Sequence, residues 1–230
     1  ISPELISSMQ ELGFHTIQGY GLTECAPILA LNRDTYYKNE SAGLPLPGVD
    51  IKIIDPDEDG IGEIIGKGDN VMLGYYNAPE LNAEAIDQKG YYHTGDLGYM
   101  TEEQFVIITG RKSNLIVTKN GKNIYPEEIE YLINQSALVQ ESVVYGVEDA
   151  TGEELVTAEV FPNAEAIAED PELVDLPLTD DRVKAKIVDF IKDDVNAKLI
   201  QYKRVREVIL RDTEFPKNTS RKIKRYKSQN

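Results

Sequence analysis

The sequence predicts an α+β fold in two parts: a strand piece with a distorted, β-barrel-like subdomain, then a small α+β domain. Two observations carry this. Between Val49 and about Ile108, apolar residues come in short runs separated by turn signals, the texture of several short strands. Beyond Gly110 the apolar spacing switches to a helical period in two places. The length of 230 residues suits one large domain or two small ones. The boundary is expected near Arg111, dividing 1–110 from 111–230.

The opening, Pro3 to Leu12, places Leu5, Ile6, Met9 and Leu12 at helical spacing, and Gly13 stands where a helix would stop. HTIQGYG then reads as a short buried strand running into a glycine-rich loop. Val49, Ile51 and Ile53 alternate with Asp50 and Lys52, the period of a half-buried strand. The turn DPDEDG follows, then the β-textured runs GEIIGKG and NVMLGYY and an apolar run from Phe105 to Ile108. Pro126 to Ile133 reads as a helix, with Pro at its start, Glu127 and Glu128 in its first turn, and Ile129, Leu132 and Ile133 inward. Strands are expected around Ser142 to Val147 and Leu155 to Phe161. The acidic run Asn163 to Asp181, with Pro171 and Pro177, reads as a surface insertion. Arg182 to Ile200 is an amphipathic helix with Val183, Ile187, Phe190, Ile191, Val195 and Leu199 on one face. A last strand is expected near Val205 to Leu210.

Composition narrows the function classes. The formal net charge of −16 argues against general nucleic-acid affinity. No stretch is long and apolar enough to span a bilayer. The N-terminus lacks the basic start of a signal peptide, and the single Cys25 cannot form an internal disulfide, so a cytoplasmic setting is expected. The chain starts without a methionine, which suggests a cut piece. The end of the chain, Pro216 to Lys227, is strongly basic, and either meets an anionic group such as a phosphate or is a solvated terminus. Asp55, Asp57, Asp59 and Gly60 imitate the start of a calcium loop. The twelfth position is Gly66 where a bidentate Glu is needed, so a polar hairpin turn is the better reading.

Four segments carry the chemistry. In GYGLTE, Gly19 and Gly21 permit close approach of backbone to a ligand, and Tyr20 offers a flat face for a base. The Thr23 hydroxyl can donate to a phosphate oxygen, and Glu24 can hold a phosphate-bridging Mg²⁺. In YYHTGDLG, Asp96 follows a glycine in a tight turn, where a carboxylate can accept both hydroxyls of a ribose. His93 is assigned no catalytic part. In TGRKSNLIVTKNGKNIYPEEIE, Arg111 could reach a ribose or phosphate, and KNGKN is a glycine-centred turn ahead of a helix. In FPKNTSRKIKR, one lysine in a turn could enter a site as a point charge. Each segment alone also reads as an ordinary turn, linker or tail.

Together, in this order and spacing, they resemble the adenylate-forming superfamily of acyl-CoA synthetases, luciferases and peptide-synthetase adenylation domains. The resemblance covers essentially the whole chain. KGYYHTGDLGYMTEEQFVIITGRK, Lys89 to Lys112, is similar to the signature region of fatty acyl-CoA synthetases, and GKNIYPEEIE to their long-chain branch. The resemblance implies the end of a large AMP-binding domain, then a mobile C-terminal lid. It implies ATP, a fatty acid and CoA as substrates with Mg²⁺, by way of an acyl-adenylate. Tyr20 would stack on adenine, with Gly21 beside it. Thr23 would contact the α-phosphate and Glu24 the metal. Asp96 would grip the ribose, with Arg111 nearby. Lys222 would be the adenylation lysine, with Lys217 as the alternative. Ser113 would be the hinge, and Lys119, Gly121 and Lys122 would lie near CoA.

Three departures from the family pattern stand out. The hinge is usually Asp or Lys and here is Ser113. The turn before the adenylation lysine usually carries glycine and here has Arg221. The phosphate loop TSGTTG followed by Lys has no match, so the chain is expected to be inactive alone. Long-chain substrates partition into bilayers, which is compatible with peripheral membrane contact. Alternatives are an adenylating enzyme for another acid or for an acyl carrier protein, and a stand-alone module that binds AMP or acyl-CoA.

Overall fold

The computed structural model describes residues 2–150, 152–219 and 221–225. The chain divides into two compact units, Ile1–Ser113 and Asn114–Asn230.

The first unit opens with helix α1, Pro3–Glu11, whose N-cap Ser2 accepts from the Leu5 amide at 3.2 Å. Strands β1 (Gly19–Tyr20), β2 (Ala30–Leu31) and β3 (Leu44–Pro45) form a small antiparallel sheet. Strands β4 (Asp50–Ile54), β5 (Gly62–Lys67), β6 (Tyr92–Met100) and β7 (Val106–Arg111) form a second sheet in sequence order, all antiparallel. The α+β character is as expected, and among the described residues the barrel-like subdomain is not a closed barrel. The sheet is open, with β4 and β7 as its two edges. The first three strands, of two residues each, make their own sheet and do not bridge those edges.

NVMLGYY is not a strand either. Gly74 and Asn77 take positive φ, which breaks extended backbone, and Leu73 is fully exposed. A short helix that the sequence reading lacked, α2 (Pro79–Ala85), follows. Between β4 and β5 the Asp57 carboxylate accepts the amides of Asp59 and Ile61, both at 3.0 Å, which makes it a hairpin cap. Leu29, Ile51, Ile64, Tyr92 and Val106 build the core of this unit.

The second unit starts with a small hairpin, β8 (Ile116–Val117) and β9 (Asn123–Ile124), then helix α3 (Pro126–Ile133) as expected. Strands β10 (Val139–Glu148) and β11 (Glu154–Pro162) pair antiparallel, and β12 (Glu207–Leu210) adds to β11 in parallel. The acidic run is more than a surface insertion. It contains helix α4 (Ala164–Glu169), and Ile167 and Leu173 drop into the core.

The amphipathic helix is regular only over α5, Asp181–Phe190; Ile191–Val195 is a π turn. Val183, Ile187, Ile191, Val195 and Leu199 are all buried. Steps of four overshoot a 3.6-residue turn by about 40° each, so the buried stripe would spiral off an ideal helix. The wider π turn offsets that drift.

Candidate functional site

Asp96 is set up by the β5–β6 register. Glu63 pairs with Leu97 and Ile65 with His93, so Ile64 alone stands opposite Thr94, Gly95 and Asp96. Such a bulge bends the strand and re-aims its side chains. Gly95 holds φ +69°, which a residue with a Cβ adopts at a cost. Thr94 Oγ1 donates to the Ile64 carbonyl at 2.6 Å and accepts the Asp96 amide at 3.0 Å.

Asp96 is 5% exposed, and its carboxylate is held on both oxygens. Tyr20 Oη donates to Oδ2 at 2.7 Å, and Arg111 Nε donates to Oδ1 at 2.9 Å. Arg111 faces Asp96 across β6–β7 and is half-exposed. A buried carboxylate is tolerated only with such partners. Burial, reinforced by the Asp96 charge, pushes the Tyr20 hydroxyl far above its ordinary value, so it stays a proton donor. Tyr20 itself is 7% exposed, so its ring is core and its hydroxyl is an anchor.

GYGLTE leaves β1 and enters a 3₁₀ turn, Thr23–Cys25. Gly21 is demanded by the chain itself, since a Cβ there would lie 1.7 Å from the Pro27 carbonyl oxygen. Thr23 is exposed and Glu24 half-buried. Glu24 accepts from Tyr75 Oη at 3.0 Å, and the Tyr75 and Tyr92 hydroxyls lie 3.4 Å apart. Among the described residues no group of three His, Cys, Asp or Glu could hold a metal. Glu24 therefore offers one carboxylate, which suits Mg²⁺ that takes its other ligands from phosphates and water. Burial and the neighbouring Glu24 charge push the Cys25 thiol up to about 11, so at neutral pH it is an inert core residue.

Glu63 was not anticipated as a site residue. Its carboxylate lies beneath the bulge, accepting the Gly95 amide at 3.2 Å and pairing with Lys112 Nζ at 2.7 Å. His93 Nδ1 is 3.5 Å away. A lone acid inside the apolar strand GEII was the signal that could have found it. Tyr75 left no such signal in an exposed, irregular segment.

Ser113 is the last residue of the first unit and lies in the 3₁₀ turn Lys112–Asn114. In the second unit KNGKN forms the β8–β9 turn, with Gly121 at φ +73° and the Thr118 carbonyl accepting the Gly121 amide at 2.8 Å. Lys119, Gly121 and Lys122 are exposed. Lys119 and Lys122 line a cavity of about 380 Å³ with Tyr202, Arg204 and Arg206.

Lys222 is exposed on a tight turn. Asn218 closes that turn: its side chain accepts the Lys222 amide and its own amide donates to the Lys222 carbonyl, both at 2.9 Å. Arg221 takes φ +59°, the left-handed conformation that glycine adopts freely. Lys217 is committed elsewhere, paired with Glu141 at 2.5 Å and Glu214 at 2.9 Å. Of the two lysines, Lys222 has the better access. Part of the basic tail is spent internally, because Arg225 pairs with Glu130 and donates to the Val144 carbonyl at 3.2 Å. Tyr226 and Lys227 lie outside the described residues.

The AMP-binding enzyme family matches residues 1–76, and the AMP-binding enzyme C-terminal domain matches residues 128–222. The chain is 38% identical to a long-chain-fatty-acid–CoA ligase of Salmonella typhimurium over 69% of its own length and 29% of that protein. It is 31% identical to a 2-succinylbenzoate–CoA ligase of Enterococcus faecalis over 99% of its length and 43% of that protein. The chain thus spans well under half the length of these curated relatives. Among solved structures, o-succinylbenzoate CoA synthetase from Bacillus subtilis with its acyl-adenylate intermediate superposes with a TM-score of 0.76 at 29% identity, over 96% of this chain and 42% of that one. The same enzyme with ATP and magnesium gives 0.75 at 30% identity, over 97% and 43%. The chain belongs to the AMP-binding enzymes, the adenylate-forming superfamily.

Proposed function

We propose that this chain works in an ATP-dependent acid–CoA ligase whose acid is a long-chain fatty acid. The observation that carries the reading is Asp96. Its carboxylate is raised on a bulge and held by Tyr20 and Arg111. Each oxygen keeps acceptor capacity beyond its protein partner, which suits the two adjacent hydroxyls of a ribose.

In the proposed first step, an oxygen of the acid attacks the α-phosphorus of ATP. The bond to pyrophosphate breaks, leaving an acyl-adenylate. In the second, the CoA sulfur attacks the acyl carbon and gives up its proton, and the bond to AMP breaks. Asp96 and Arg111 hold the ribose end, and Thr23 donates to the α-phosphate. Magnesium, when bound, neutralises phosphate charge, and Glu24 is the carboxylate for it. Lys222 supplies a positive charge where negative charge grows on the phosphate. Lys119, Gly121 and Lys122 serve the CoA step, and Ser113 is the pivot between steps. No run of these 230 residues matches a Ser/Thr/Gly-rich phosphate loop, so we include in the proposal that triphosphate binding draws on residues outside them.

Identity to the Salmonella ligase, 38%, supports a fatty acid. A second reading, an aromatic acid, is favoured by the succinylbenzoate ligase, which matches over 99% of the chain. ATP–pyrophosphate exchange, run with an acid panel on the native protein that carries this chain, separates the two. Exchange with C14–C18 acids at least tenfold above succinylbenzoate and coumarate is the expected result. The reverse order would replace the fatty acid by an aromatic one.

A further inference from the structure

We infer that Glu63 is a positioning residue for Asp96: it satisfies the bulge amide of Gly95 and, through Lys112, fixes the strand end that carries Arg111. The inference rests on the proposed ribose contact of Asp96.

Glu63 is 6% exposed within the apolar strand β5. Burying a carboxylate costs several kcal/mol per ion, and an apolar residue of similar size is often as stabilising as a buried ion pair. Stability alone therefore gives this site little reason for an acid. The bulge gives one. Thr94, Gly95 and Asp96 oppose the single residue Ile64, so the ladder leaves amides over. Thr94 Oγ1 takes that of Asp96, and Glu63 Oε1 takes that of Gly95 at 3.2 Å. A part-buried amide without an acceptor would favour a different loop conformation.

The other carboxylate oxygen acts just beyond the end of β7. Oε2 binds Lys112 Nζ at 2.7 Å, while the preceding residue, Arg111, binds Asp96 at 2.9 Å. Lys112 opens the 3₁₀ turn directly after β7, so two carboxylates hold this junction, Asp96 through Arg111 and Glu63 through Lys112. Burial alone would raise the Glu63 carboxyl, but Lys112, the Gly95 amide and His93 together bring it below its ordinary value. It is ionised at neutral pH, as the clamp requires.

The test uses the native protein, with AMP affinity measured by calorimetry and KM for ATP measured separately from kcat. Glu63→Ala should weaken AMP binding and raise KM for ATP about tenfold, with kcat changed less than about threefold. Glu63→Gln, which keeps an acceptor for Gly95 but loses the charge for Lys112, should fall between wild type and alanine, and Lys112→Met should resemble it. Asp96→Ala is the control for the underlying reading. If it weakens AMP while Glu63→Ala lowers only the melting temperature, Glu63 is a structural acid and the inference is overturned alone. If Asp96→Ala leaves AMP affinity unchanged, the ribose reading falls and takes the inference with it. Should the alanine variant not fold, wild-type AMP affinity in Glu63→Gln and Lys112→Met overturns it instead.

Discussion

The two units hold their candidate groups in opposite ways. In the first, Asp96 is 5% exposed and hydrogen-bonded on both oxygens before any ligand arrives. In the second, Lys222 is exposed on a turn whose preceding residue sits in left-handed backbone. A fixed carboxylate needs no reorganisation to receive hydroxyls, so it suits a group that stays bound through a reaction. A compact ammonium on an exposed turn suits a charge needed at one step only. On the proposed function, the contrast is between a grip and a delivered charge.

The largest expected effect is on the grip. Asp96→Ala should weaken AMP binding about a hundredfold, since hydrogen bonds to charged groups contribute roughly 1.5–3 kcal/mol each. A loss that small enough to disappear in calorimetry would break the contrast at its first term. Next comes the anchor of the delivered charge. Burial pushes the Glu130 carboxyl up, and Arg225 opposes this from three residues beyond Lys222. Arg225→Ala leaves that acid without its cation and should destabilise the second unit by about 2–3 kcal/mol in denaturant titration. An unchanged midpoint would mean that the turn is held without Arg225, by Asn218 and the backbone bonds that close it. The smallest effect is at Arg221. Arg221→Gly should raise stability by up to about 1 kcal/mol, because the left-handed conformation is then unstrained. Destabilisation would show that the arginine side chain contributes more than its backbone costs.

Much of the second unit was legible in the sequence. α3 declared itself through Pro126 and the acids after it, and the β10–β11 pair through its apolar runs. The π turn was not legible, because a stripe at steps of four reads as a helix until its drift is counted. In the first unit, the open sheet was hidden because short alternating runs are equally compatible with a sheet and a barrel. Asp96 was singled out through the TGD turn, and Arg111 was expected near it, but its contact with the Tyr20 hydroxyl was not. Tyr20 was read for its ring, and its hydroxyl turned out to hold Asp96. Glu63 stands 33 positions upstream of Asp96, counted from those two residue numbers, and only strand pairing brings the two segments together.

The most direct test of the contrast separates the two half-reactions in Lys222→Ala of the native protein. Acyl-adenylate formation is followed by ATP–pyrophosphate exchange, and the CoA step by thioester release from supplied acyl-adenylate. The account predicts that exchange falls about a hundredfold or more while the CoA step stays within about threefold of wild type. Equal losses in both half-reactions would contradict it, because Lys222 would then be part of the permanent grip.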